Sequence, residues 1–235
     1  MKKLLIIFAS LFLGLICKAQ DSYFTVYNFV VEPQNVSTIY TLFDDYFSEN
    51  KATGVTVSLY ENHFNDSENN FTHSVVFSGS LDAMGDMYAG GNNDSWNLFL
   101  TRINQHMKEG YSSAMGQRLA AYGNTNESHP FQRYFMLDVD EMSKWVESYK
   151  KMTEKNNPEG RLNMMGIISA GHGPDGANVW MINGFKDFKT AMAGVTSLRT
   201  DAENEASAKA MEIHREEGGE VKLVRTGLRI LLKSW

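Results

Sequence analysis

Two stretches of this chain, 23–122 and 131–232, run through the same order of elements: strand, helix, strand, strand, helix, strand. Residues 23–31 are rich in aromatic and β-branched side chains and read as a strand, broken by Pro33 and Asn35. Ile39, Leu42, Phe43, Tyr46 and Phe47 then recur at helical spacing. Residues 55–60 and 72–77 are the next two strands, separated by the polar run 65–70. Trp96, Phe99, Leu100, Ile103 and Met107 stripe a second helix, and 112–122 is a fourth strand. In the second stretch the strand places fall to 131–139, 162–169, 178–183 and 221–232. Met142, Trp145, Val146, Tyr149 and Met152 stripe one helix there, and 202–215 is helical by propensity. Gly79, Asp82 and Met87 recur at a constant offset as Gly184, Asp187 and Met192, each triplet following a third strand. The small, polar run 123–128 is the natural seam between the halves.

A β-α-β-β-α-β unit lays both helices on one face of an antiparallel sheet and leaves the other face open. In a solitary unit that open face is polar, and the strands alternate. These strands do not. In the first, Phe24, Val26 and Val30 oppose Tyr27, Phe29 and Val31; in 162–169, Leu162, Met164 and Ile168 oppose Met165 and Ile167. Each large apolar side chain left in water forgoes about 1.5–3 kcal/mol, so both faces need cover. The tethered second copy is the nearest cover, which predicts one intramolecular barrel of two halves, 20–125 and 126–235. A homodimer in which each half pairs with its equivalent in another chain is the alternative.

The start of the sequence reads as an export signal. Lys2 and Lys3 precede an apolar run from Leu4 to Ile16, too short for a comfortable membrane span, and Ala19 suits cleavage before Gln20. Removing residues 1–19 takes away Cys17, the one cysteine, and shifts the net charge from −6 to about −9. The expectation is therefore a secreted or periplasmic protein, without thiol chemistry, without a span in its mature part, and too acidic to bind nucleic acid through phosphates.

The element order, the doubling, and the strand ending Trp180-Met181-Ile182-Asn183-Gly184-Phe185-Lys186-Asp187-Phe188 resemble the dimeric α/β-barrel superfamily in tandem fused form. The resemblance implies an α+β fold of two ferredoxin-like units and a cavity between sheet and helices. It also implies a choice among cofactor-independent monooxygenases, haem-using enzymes, isomerases and proteins without known activity. The haem-degrading members resemble an Asn–Trp–His constellation; here Asn28 and His106 lie in one half and Trp180 in the other. No cofactor is expected on that ground.

Other polar groups were weighed for chemistry. His63, Asp66, Glu68 and His73 surround a polar hairpin tip and lack tight ligand spacing, so no metal is expected. The loop Gly171-His172-Gly173-Pro174-Asp175-Gly176 is a hairpin turn, not a phosphate loop, because a strand follows it. Arg225 and Arg229 share a strand face with Gly227, and Arg118 holds the matching strand in the first half; such arginines meet acids or an anionic ligand. The expected lining of a binding cavity is Tyr27, Tyr134, Trp180, Arg225 and Arg229, around a small, partly apolar or anionic molecule. Binding without chemistry is the leading expectation. A cofactor-independent monooxygenase or isomerase-like enzyme, and a structural module of the cell envelope, are the alternatives.

Overall fold

The structure is a computed structural model that describes residues 22–64, 70–89, 93–171 and 176–235. The export segment, Asp66, Glu68 and His172 thus lie outside the described residues. The first half runs β1 (Ser22–Val31), α1 (Val36–Glu49), β2 (Val55–Phe64), β3 (His73–Gly79), α2 (Leu81–Ala89), α3 (Asp94–Asn104) and β4 (Met107–Tyr122). The second runs β5 (Phe131–Val139), α4 (Met142–Asn156), β6 (Leu162–Ala170), β7 (Val179–Phe185), α5 (Phe188–Ala193), α6 (Asp201–Gly218) and β8 (Val221–Ser234).

The eight strands close into one barrel in the order β1-β3-β2-β8-β5-β7-β6-β4, and every pairing is antiparallel. Four neighbours come from the first half and four from the second, joined through β2–β8 and β4–β6. Closure removes the exposed sheet edges. It also explains why the strands are apolar on both sides. One face carries Phe29, Val31, Val57, Leu59, Val75 and Phe77 into a core with Ile39, Phe43 and Phe47 of α1. The other face turns into the barrel.

Inside, large rings lie over glycines. Phe24 of β1 and Trp180 of β7 meet edge to face at 5.4 Å, although two strands separate them in the sheet. They can do so because Gly116 and Gly166 leave room: a Cβ on Gly116 falls 2.8 Å from Phe24, and one on Gly166 falls 2.6 Å from Trp180. Tyr134 likewise covers Gly227, where a Cβ falls 2.3 Å from its hydroxyl, and that hydroxyl donates to Asn62 Oδ1 across the barrel at 3.2 Å. The interior is therefore largely packed.

The elements differ from expectation at α2, at α5 and at the start of β4. α2 fills a segment to which the sequence pattern assigns no element; the signal for it is Ser80, whose Oγ accepts the Ala83 N–H at 3.1 Å. Met107 begins β4 and does not continue the helix, since Gln105 and His106 close α3 by tight bonds to Arg102 and Ile103. The recurring aspartates play different parts: Asp82 sits within the first turn of α2, whereas Asp187 caps α5 by accepting the Thr190 N–H. α6, with its weak apolar stripe, starts at a capping box of Thr200 and Glu203.

The end of the chain fastens the halves together. Trp235 exchanges two backbone hydrogen bonds with Val57, and its ring lies on Phe43 and Phe47 of α1. Asp44 on α1 accepts from Lys233 and from Trp235 Nε1. The Lys233 bond foremost, then those of Trp235 and Ser48, hold the Asp44 carboxyl down at about 2. A depressed carboxylate stabilises the fold above its unfolded pKa and loses that contribution as pH falls towards 2. Asp44→Asn is therefore expected to flatten the fall in melting temperature between about pH 4 and pH 2. Calorimetric melts across that range check this; an unchanged slope contradicts the clamp.

Candidate functional site

The halves treat the space between sheet and helices differently. In the second half α4 lays Trp145 and Tyr149 over Leu137, Val139, Met165 and Val179, and α6 packs along α4. Trp145 stacks on Tyr149 at 5.0 Å, and Ser148 Oγ bonds His214 Nδ1 at 2.7 Å between the two helices. Burial foremost, and the neighbouring Arg215, lower the His214 pKa, so its imidazole is neutral near pH 7. α4 and α6 thus close on one another, with Ser148 and His214 at their seam.

In the first half α1 and α3 touch through an aromatic knot and then part. Phe99 lies 4.4 Å from Tyr46 and 5.4 Å from both Phe43 and Phe47, ring to ring. Beside the knot is a cavity of about 1050 Å³. The sheet supplies its floor through Phe29, Val57, Val75 and Phe77; α1 and α3 supply its walls through Phe43, Tyr46, Phe47, Trp96, Phe99 and Ile103. Tyr27, Tyr88, Tyr111 and Leu100 line it and are also exposed, which marks its mouth. The volume matches the upper end of small-molecule sites, and a floor and walls made of rings suit a flat, largely apolar ligand.

Asn50, Lys51, Asp86, Asn93 and Asn104 add polar groups around the helices, and a hydroxyl and amide set runs along β1 and β4. Tyr27 Oη lies 2.5 Å from Tyr88 Oη, and Tyr88 donates onward to Thr25 Oγ1 at 3.0 Å, so Tyr27 is the donor to Tyr88. Partial burial first, then the bond to Tyr88, push the Tyr27 pKa up to about 12; the phenol is neutral and remains a donor at physiological pH. Asn28 Nδ2 donates to Ser112 Oγ at 2.9 Å where β1 and β4 slip register.

Of the five residues expected to line a cavity, Tyr27 does so. The other four lie elsewhere. Tyr134 is buried inside the barrel. Arg229 sits beside it: its guanidinium lies 3.9 Å from the Tyr60 ring centroid and donates twice to Gln132 Oε1 at 2.9 and 3.0 Å. Burial lowers the Arg229 pKa, and the ring face beneath offsets part of the lost hydration. Trp180 faces Phe24, and its buried Nε1 has no hydrogen-bond partner among the described residues. Arg225 of β8 pairs in register with Met136 of β5 and is half-buried. Two strand faces, not one, therefore carry the five.

The haem-type set does not assemble. Trp180 is inside the barrel, His106 follows α3 outside it, and the Asn28 amide is engaged by Ser112. The described cavity lining offers no histidine or cysteine as an axial ligand. Among the described residues no three His, Cys, Asp or Glu side chains converge on a metal position. His73 is buried with Nδ1 against Thr72 Oγ1, and burial lowers its pKa; His63 holds Glu61 at 2.7 Å. No helix among the described residues is long and apolar enough to cross a membrane. In sequence Phe43, Phe47, Phe99 and Ile103 read only as core, because their helical spacing carries no sign that α3 parts from α1 beyond the aromatic knot.

No protein-family model matches the sequence, and no curated protein matches it. Solved structures do match in fold. A candidate monooxygenase from Fusobacterium nucleatum superposes with a TM-score of 0.59 at 16% identity, covering 92% of this chain and 94% of that one. A candidate monooxygenase from Lactobacillus acidophilus gives 0.59 at 9% identity, covering 91% and 100%. A variant chlorite dismutase from Candidatus Nitrospira defluvii gives 0.52 at 9% identity, covering 90% and 91%. What this chain shares with them is the fold, an α+β architecture on a closed eight-stranded antiparallel barrel.

Proposed function

We propose that this chain is an enzyme of the monooxygenase kind, working without a tightly held cofactor on a small, flat, largely apolar molecule. Its substrate lies in the cavity under α1 and α3. The observation that carries the reading is that cavity, walled by aromatic rings and bordered on one side by the hydroxyls of Tyr27 and Tyr88. The fold common to two candidate monooxygenases supports it. In this reading the protein desolvates and orients the substrate. The Tyr27 proton is held by Tyr88, so at the mouth of the cavity Tyr27 Oη is left to accept from a substrate hydroxyl and so orient the ring. Binding without chemistry is the second reading, favoured by the scarcity of titratable groups in the described lining, where Asp86 and Lys51 are the charged members.

We further read the two strand sets as ferredoxin-like units, 20–125 and 126–235, fused in tandem, and 1–19 as an export signal. Phe24 paired with Gly116 and Tyr134 paired with Gly227 hold like places in the two sets, which supports the fusion.

Calorimetry with 1-naphthol tests occupancy, and an oxygen electrode with the same compound tests chemistry. The expected result is saturable binding with oxygen uptake beyond that of heat-inactivated protein. Binding without uptake leaves the second reading; no binding contradicts both.

A further inference from the structure

The cavity does not end at Tyr27. A second, shallower hollow of about 490 Å³ continues along the same face of β1 and β4, beneath α2. Tyr27, Tyr88 and Ser113 line both spaces, so the two are parts of one trough, crossed by the Tyr27–Tyr88 hydroxyl bridge. Their linings differ. The first is walled by stacked rings, whereas the second is bordered mainly by Leu81, Met84, Met115, Gly116 and Ala170. Leu81 and Met115 are 59% and 49% exposed, an apolar surface that a covering ligand would take out of water.

One position keeps the hollow open. Leu81, Gly85 and Tyr88 stand at i, i+4 and i+7 on α2, share one helix face and all line the hollow. A Cβ built on Gly85 meets nothing within 4 Å. Glycine inside a helix costs about 0.5–1 kcal/mol relative to alanine, and nothing in the local packing or backbone demands it here. The space it leaves is the feature that remains to be explained.

We infer that the trough takes one elongated ligand, with a flat ring in the aromatic cavity and an unbranched apolar tail in the hollow beneath α2. The inference rests on the reading of the main cavity as the substrate site and adds the class of substrate: a ring bearing an alkyl chain. Occupancy by the tail of the same ligand follows from the shared lining at Tyr27, Tyr88 and Ser113. A chain bound there loses contact with water one methylene at a time, so affinity should climb with length and stop when the hollow is full.

The test is calorimetric titration of the full chain with 4-methyl-, 4-butyl-, 4-hexyl- and 4-octylphenol. For the unaltered protein, affinity is expected to rise about three- to fourfold per methylene before levelling off. Gly85→Phe fills the hollow from a helical position that accepts any side chain. It should bind 4-methylphenol as the unaltered protein does and lose the gain from longer chains. Gly85→Ala should keep that gain and melt no lower than the unaltered protein, which controls for folding. The inference is overturned if chain length changes nothing in the unaltered protein, or if Gly85→Phe keeps the whole gain. Failure of 4-methylphenol and 1-naphthol alike to bind overturns the cavity reading beneath it as well.

Discussion

Gly166→Val is expected to destabilise the barrel by about 3 kcal/mol, at the upper end of what overpacking does. The added Cβ falls 2.1 Å from the Gln117 carbonyl oxygen on the neighbouring strand and 2.6 Å from the Trp180 ring. A flexible side chain could swing aside, but a strand carbonyl in a closed barrel cannot move without disturbing the β4–β6 ladder. In a domain of this size the loss corresponds to a melting temperature lower by about 10 °C. Thermal denaturation followed by circular dichroism measures it. A variant that melts within a degree or two of the parent would mean that the Phe24 and Trp180 rings do not occupy the barrel interior as described.

Trp145→Ala and Phe99→Ala form the second test, because each removes a buried ring from beneath the helices of one half. Both residues are buried, at 3% and 5% exposure. Trp145 is buried between Tyr149 and His214, so its loss leaves a void and costs about 3–5 kcal/mol. Phe99 borders the cavity, and part of the space it vacates merges with one already present. Its cost is expected at or below the lower end of that range. Binding should separate the pair in the other direction: Phe99→Ala weakens 1-naphthol, and Trp145→Ala leaves it unchanged. Chemical denaturation and calorimetry on the two proteins give both comparisons. Equal stability losses with equal binding losses would contradict the asymmetry between the halves.

That asymmetry marks where the sequence stops being legible. Two-faced strands can be read directly: Phe24 and Val26 against Tyr27 and Phe29 announce that both sides of the sheet are covered. The placing of Arg225, Gly227 and Arg229 on one face also follows from spacing alone. What spacing cannot supply is the strand next door. Gly227 matters because Tyr134 is its partner in register, and that pairing joins residues ninety-odd positions apart in the chain. The cavity is less legible still. Ile39, Phe43 and Phe47 on α1 and Trp96, Phe99 and Ile103 on α3 have the stripe of any core-facing helix, as do Trp145 and Tyr149 on α4. Whether two such helices close, as α4 and α6 do around Ser148 and His214, or part, as α1 and α3 do, depends on contacts made only in the folded chain. The sequence pattern assigns no element to the segment that forms α2, although Ser80 carries the capping signal for it. The expected lining mixed the two sheet faces for the same reason: Tyr27 and Trp180 are both aromatic strand residues, and only the closed barrel puts one under the helices and the other inside.

The central claim is that ligand binds under the helices of the first half and not within the barrel. The four tryptophans report on this place by place: Trp96 lines the cavity, Trp180 lies in the barrel interior, Trp145 fills the second half, and Trp235 ends the chain. Fluorine NMR of protein labelled with 5-fluorotryptophan, titrated with 1-naphthol, reads them separately. The expected result is a saturating shift of the Trp96 resonance while those of Trp180 and Trp145 stay in place. A shift at Trp180 with Trp96 unmoved would put the site inside the barrel and contradict the account.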